Sequence, residues 1–386
     1  MIKGSPMTTR ILAGLADATR LTRDGRVSEA LATIRRTLAT GASPAPAADE
    51  KRAPGALPPR PGVGAGAFGQ GLSGLGGAAA WLNPQGTPAP GRAPAVPAGA
   101  RFEERAFSGT AGRLGYKLYV PSGHGAQPMP LVVMLHGCTQ SPDDFAAGTR
   151  MNELAEEHGF LVAYPAQTKA ANASRCWNWF SAADQQRDRG EPALIAGVAR
   201  QVMAEFTVAD GRVYVAGLSA GGATAAIMGV LYPDLFAAVG VHSGLACGAA
   251  RDLPSALSAM RGGASPVNLP RGGAAAPPTI IFHGDHDKTV HPANAALVAS
   301  QVDAGAVAER DVQKGETPQG VRFTRRVEAD RNGVPVLEHW VIHGLGHSWS
   351  GGSPAGSYTD ARGPDASREM IRFFEHHRVA SVRTGG

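Results

Sequence analysis

VYVAGLSAGGATAAIMG, residues 213–229, passes from an apolar β-rich run through Gly217-Leu218-Ser219-Ala220-Gly221 into a helix of small residues. A G-x-S-x-G gains meaning from that strand–turn–helix setting. The Ser must stand on a sharp, strained turn, and only Gly at the flanking positions lets strand and helix backbones come so close. The helix start also offers free N–H groups to an anion forming nearby. A Gly-rich turn with a bystander Ser is the plain alternative, and the setting argues against it. Ser219 is therefore the candidate nucleophile.

A Ser hydroxyl attacks poorly until a neighbouring base takes its proton. An acid followed by a His, both downstream and both at strand ends, completes this kind of site. TIIFHGDHDKTVHP (279–292) offers Asp285 and Asp287 just after an apolar strand, and VLEHWVIHGLGHSWSGG (336–352) offers His343 and His347. Asp287 lies deeper in its loop, within reach of a His, and is preferred to Asp285. His347 follows a Gly-containing turn and is the better mobile base, whereas His343 stays in or beside the sheet. The group His283, Asp285, His286, Asp287 and His291 is also dense enough to suggest Zn²⁺ or a pair of metals. Its position, where a triad needs its acid, favours the carboxylate–His reading without metal. A second oxyanion donor besides the Ala220 amide belongs after the third strand. VVMLHGCTQS (132–141) places His136-Gly137-Cys138 there, so the Cys138 amide is the candidate.

Strands read at 114–121, 130–137, 160–165, 212–217, 236–244, 279–285, 321–329 and 336–344. Helices read at 144–159, 191–206, 220–233, 292–302 and 365–378. This alternation predicts a mostly parallel sheet covered by helices on both faces. Ligands then belong at the carboxyl ends of the strands, where the residues above fall. Residues 245–278 read as a lid or as a surface insertion.

The chain has 386 residues, of which 51 are Gly and 29 Pro, and residues 41–100 are dense in both. Residues 1–40 read as a basic amphipathic helical segment, either a hairpin packed on the main domain or a docking element. Residues 41–100 are too poor in apolar bulk to offset ordering entropy and read as a disordered, flexible linker. Residues 101–380 form the expected catalytic domain. A net charge of +5 without a basic stripe interleaved with aromatics gives no case for nucleic acid. No apolar stretch reaches membrane-spanning length, no secretory leader is evident at the start, and three Cys do not make a disulfide scaffold. The expectation is a soluble, cytoplasmic protein.

LHGCTQS, LVAYPAQ, CWNWF, RVYVAGLSAGGA, YPDLFAAVGVHSG, HGDHDKTVHPAN and GLGHSWSGG occur in that order. Together they resemble the polyhydroxybutyrate depolymerase and feruloyl-esterase-like branch of the α/β-hydrolases, nearest to the short-chain-length polyhydroxyalkanoate depolymerase type. The resemblance covers about residues 102–378. It implies an α/β-hydrolase fold, a serine esterase needing no cofactor, Ser219, Asp287 and His347 as triad, and Cys138 and Ala220 as oxyanion donors. The expected partner is a polyester or oligoester, with the surface of a storage granule as a docking place. Secreted members usually carry a signal peptide and a polymer-binding module, and neither is evident. That departure favours an intracellular enzyme, with secretion as the alternative. A feruloyl- or acetyl-type carboxylesterase and a non-catalytic granule-associated protein are the competing functions.

RCWNWF (175–180) follows the 160–165 strand and so falls at the same sheet edge as Ser219. Trp177 and Trp179, with Asn178 as a polar handle, are expected to wall a substrate groove, at least one Trp packing beneath the loop instead. Trp349, beside His347, joins the expected substrate contacts. Cys138 and Cys176 follow neighbouring strands, and the resemblance also supports a bridge that would brace the oxyanion loop. A cytoplasmic location speaks against that bridge.

Overall fold

The computed structural model describes residues 94–263, 276–302 and 307–379. The expectations for residues 1–40, and for all but the end of 41–100, lie outside them.

A sheet of ten strands runs through the molecule. Its middle is β3 (Met129–Leu135), β4 (Leu161–Ala166), β5 (Val208–Leu218), β6 (Ala238–His242), β7 (Thr279–Gly284) and β10 (Pro335–Ile342). The spatial order β4-β3-β5-β6-β7-β10 is parallel throughout. Antiparallel strands finish both edges: β1 (Arg101–Gly109) and β2 (Gly112–Val120) on one side, β9 (Arg322–Ala329) and β8 (Glu309–Glu316) on the other.

Alternation of side chains along each strand feeds two cores. Leu131, Val133 and Leu135 of β3 and Val213 and Val215 of β5 face one side. There they meet α3 (Gly190–Glu205), α4 (Ala220–Leu231) and α6 (Ala293–Ala299). Val132, Met134, Tyr214 and Ala216 face the other side. Their partners are α1 (Pro142–Thr149), α2 (Met151–His158) and α7 (Ala366–Phe374). A sheet buried on both faces needs apolar residues at successive positions, and this is why these strands read as continuous apolar runs.

The structure departs from the sequence reading in three places. The helix expected over 144–159 is two helices, because Arg150 adopts φ 55°. Its guanidinium Nη2 donates to Gly351 O at 3.0 Å and Asp365 Oδ2 at 2.9 Å, tying the break to the loop after β10. The edge strands β1 and β8 were not expected. Within 245–278, the short helix α5 (Leu253–Ser258) is capped by Asp252, whose carboxylate accepts from Ser255 N at 2.9 Å. Residues 264–275 of that stretch lie outside the described part.

Candidate active site

Ser219 stands between β5 and α4 with φ 58° and ψ −118°. For a residue with a Cβ this region costs about 1–3 kcal/mol and persists only where its surroundings impose it. They do so here. Ser219 N donates to His242 O at 2.9 Å, and Ser219 O accepts from Ala223 N at 2.9 Å, the first bond of α4. A Cβ at Gly221 would lie 2.0 Å from Leu135 O, and one at Gly217 would lie 2.4 Å from Gly221 C and O. The two glycines are what allow β3, β5 and α4 to converge beneath the Ser.

The loops after β7 and β10 run side by side, joined by Asp285 N donating to Ile342 O at 3.1 Å and His286 N to Leu345 O at 3.0 Å. This register makes two separate carboxylate–imidazole pairs. Asp287 Oδ2 accepts from His347 Nδ1 at 2.7 Å, and Asp285 Oδ2 accepts from His343 Nδ1 at 2.8 Å. The Asp287 side chain is fully buried. Its Oδ1 accepts from Thr289 N at 2.9 Å and Val290 N at 2.8 Å, and His283 Nε2 stands 3.4 Å from Oδ2. Burial alone would push this carboxyl pKa up. The bonds from His283 and His347, with their charges, outweigh burial and hold it well below the ordinary value. Asp287 therefore stays ionised, keeps the Nδ1 proton of His347 in place and leaves Nε2 as the basic nitrogen.

Ser219 and His347 line one small cleft open to solvent, together with Gly137, Cys138, Leu218, Thr289 and Tyr358. The amide of Ala220 opens α4, where no carbonyl lies one turn back within the helix. Cys138 follows β3 and lines the same cleft. Its loop is fastened firmly: Cys138 is bridged to Cys176 with a Cα–Cα distance of 4.2 Å. Thr139 N donates to Ser174 O at 2.7 Å, and Arg175 Nη2 donates to Thr139 O at 2.6 Å. Thr139 and Arg175 both have positive φ, 67° and 53°. The arrangement brings a Ser on a strained elbow and an imidazole oriented by a buried carboxylate to one cleft, beside the fastened loop of Cys138 and the start of α4.

Of the reading of RCWNWF, the expectation that at least one Trp packs beneath the loop holds, and the aromatic wall does not. Trp177 is fully buried and donates from Nε1 to His136 O at 3.1 Å, so it supports the loop that carries Cys138. Trp179 is buried in the same core. Trp349 is buried between Phe145 and His242 and donates to Ser367 Oγ at 3.0 Å. The Asn178 amide is taken up by Asn172 and Glu191. None of the four lines the cleft. Large rings on a loop minimise exposed apolar area by turning inward, and here the bridged loop gives them a core to enter. Tyr358 and Thr289 line the cleft instead. The sequence carries one weak sign of Thr289, its place in the HGDHDKTVHP loop; Tyr358 is marked only in three dimensions, by its φ of 53° and a 3.1 Å contact to Thr139 Oγ1.

The His/Asp cluster is divided in the same way. Asp285 and Asp287 each have their own imidazole, and His291 Nδ1 accepts from Ala293 N at 3.2 Å. Among the described residues no three His, Cys, Asp or Glu are placed to hold one metal ion. No helix among them is long and apolar enough to cross a membrane.

The chain is similar to known esterases. The chain is 34% identical over 251 residues to poly(3-hydroxyalkanoate) depolymerase C of Paucimonas lemoignei, covering 62% of this chain and 60% of that protein. It is 28% identical over 215 residues to acetylxylan esterase A of Talaromyces purpureogenus, covering 52% and 55%. The chain thus spans little more than half the length of these curated relatives. Among solved structures, an acetyl xylan esterase from Aspergillus awamori matches with a TM-score of 0.56 over 72% of this chain and 99% of that one. At 21% identity that likeness bears on the fold, an α/β-hydrolase fold. The family model described as esterase PHB depolymerase matches residues 114–317, more than half of the chain, and the chain belongs to that family.

Proposed function

We propose that this chain is a serine carboxylic-ester hydrolase acting on poly(3-hydroxybutyrate) or related short-chain hydroxyalkanoate polymers and oligomers. The observation that carries the reading is the shared cleft of Ser219 and His347, with Asp287 buried behind the imidazole. Ser219 Oγ attacks the ester carbonyl while His347 Nε2 takes its proton. The negative oxygen so formed is met by the Cys138 and Ala220 amides. His347 passes the proton to the departing alkoxide, which leaves as an alcohol. Water, deprotonated by the same imidazole, then releases the acyl group as a carboxylic acid and restores Ser219.

The substrate class rests on family membership and on the 34% identity to a polyhydroxyalkanoate depolymerase. Esters of acetyl type are the second reading, favoured by the likeness to acetylxylan esterases. In our reading residues 101–380 carry the activity, and a polymer or granule surface is the partner. The Cys138–Cys176 bridge favours an oxidising compartment over the cytoplasm, so the secreted alternative is preferred here. The test uses the purified full chain on amorphous poly(3-hydroxybutyrate), soluble 3-hydroxybutyrate oligomers, and acetyl and feruloyl esters, with Ser219→Ala as control. Activity confined to feruloyl or acetyl esters overturns the polyester assignment. Equal hydrolysis by Ser219→Ala, or absence of labelling of Ser219 by an organophosphate, overturns the mechanism.

A further inference from the structure

Behind the bridged loop lies a carboxylate that the reaction itself does not use. Glu191, in the first turn of α3, is buried. Its Oε2 accepts from Asn178 N at 2.7 Å, and its Oε1 accepts from Asn178 Nδ2 at 2.7 Å and from Gln167 Nε2. The same Gln167 amide donates to Cys176 O at 3.2 Å, and Gln167 N donates to His136 Nε2 at 3.1 Å. His136 Nδ1 then donates to Gly137 O at 2.8 Å. In a trans peptide the carbonyl and the following N–H point opposite ways. Holding Gly137 O toward His136 therefore aims the Cys138 N–H away from His136. Cys138 is held at the same time through the bridge to Cys176, and His136 O through Trp177.

Two of the routes from the scaffold to the Cys138 amide, through Gln167 to His136 and through Trp177 to His136, thus pass through a residue that Glu191 touches or its immediate neighbour. Gly137 N and Thr139 are held separately by Gln140, Ser174 and Arg175. An ionised carboxylate is acceptor-only and can receive all of these donors together, which an amide of the same shape cannot. It is also costly in this place. Burial first, and the charge of Asp184 next, push its pKa up to about 7 against the bonds from Asn178 and Gln167. Retaining so unfavourable a group beneath an oxyanion loop points to a task at the site.

We infer that Glu191 is a positioning residue for the oxyanion amide of Cys138, acting through Asn178 and Gln167 on residues 136–138. The inference rests on the esterase reading above. An amide shifted from the place where negative charge develops weakens the transition state and leaves ground-state binding as it was.

Glu191→Gln in the full chain, assayed on a soluble 3-hydroxybutyrate oligomer, is expected to lower kcat by about 10- to 100-fold, short of the loss of a whole donor. KM should stay within about twofold. A trifluoromethyl ketone that mimics the tetrahedral intermediate should weaken by the same factor as kcat. Asn178→Ala, which removes one of the donors and leaves the carboxylate, should give a smaller fall of the same kind. Unchanged kcat with a lowered Tm, or a fall carried by KM alone, overturns the inference. Should Glu191→Gln not fold, unchanged kcat and inhibitor affinity in Asn178→Ala overturn it equally. No Ser219-dependent turnover by the unaltered chain removes the esterase reading and this inference together. Ser219-dependent turnover indifferent to both substitutions removes this inference alone.

Discussion

His347 Nδ1 donates to a fully buried Asp287 at 2.7 Å, whereas four residues earlier His343 Nδ1 donates to a part-exposed Asp285 at 2.8 Å. The two pairs are alike in bonding and differ in what stands in front of them. His347 lines the cleft with Ser219. His343 instead points Nε2 at Thr324 Oγ1, 3.0 Å away on β9. His347→Ala should therefore lower kcat by about 10²- to 10⁴-fold. His343→Ala should change it by no more than about threefold, as for a part-exposed residue outside the site. Steady-state rates on one soluble ester decide the matter, and equal losses in both variants would reassign the base.

The bonds that keep Asp287 ionised also make it a source of pH-dependent stability. Its folded pKa lies below the ordinary 3.8, so below that value the unfolded chain binds the proton more readily than the folded one. The contribution is fully present above about pH 4 and is lost as pH falls through the unfolded pKa toward the folded one. Urea midpoints of the native chain should decline between about pH 4 and 3 more steeply than those of Asp287→Asn. Other paired carboxylates titrate in both proteins, so the difference between the slopes is the readout. Parallel slopes would show that Asp287 is not held ionised.

How much of this was legible beforehand follows the physics of each signal. The parallel strands announce themselves because burial on both faces demands apolar runs, and the elbow because close backbone approach demands Gly. The charged edges are the reverse case. RFEERAFSG and ERDVQKGE carry the charges that protect an edge strand from further pairing, and those charges erase the apolar signal. Chain order narrowed the acid to Asp285 or Asp287 and the base to His343 or His347. Loop depth and the Gly turn favoured Asp287 and His347, and the register of two neighbouring loops shows how the four divide into pairs. The break at Arg150 had no local sign, since left-handed backbone usually falls to Gly or Asn. The tryptophans misled because loop position says nothing of which way a ring turns.

Gly221→Ala tests the elbow without touching a reacting atom. The added methyl would meet the carbonyl oxygens of Leu135 and His136 at 2.0 and 2.6 Å, and both are backbone atoms that a rotamer change cannot clear. The strand–helix junction must open, at a cost of about 3 kcal/mol. Denaturant unfolding should show that loss, and activity should fall beyond it because Ser219 moves with the start of α4. Native stability and rate in this variant would contradict the packing described at the elbow.

The Cys138–Cys176 bridge closes a loop of sequence separation 38, for which the chain-entropy model gives about 4 kcal/mol of stabilisation. Without reductant, the unfolded chain should titrate a single thiol, Cys247, which is buried and free in the structure. Reduction should expose all three cysteines. The double variant Cys138→Ala, Cys176→Ala should lose up to that stability. The bridge, however, is one fastening among several: Thr139 and Arg175 hold strained backbone next to it, and Trp177 and Gln167 grip His136. Loss of the bridge should therefore lower kcat by less than the about 10²-fold expected when a whole oxyanion donor is removed, while Tm falls markedly. A larger fall in kcat than that would mean that the covalent link, more than the hydrogen bonds around it, holds the Cys138 amide in position. Three titratable thiols in the unreduced chain would mean that the hydrogen bonds alone do so.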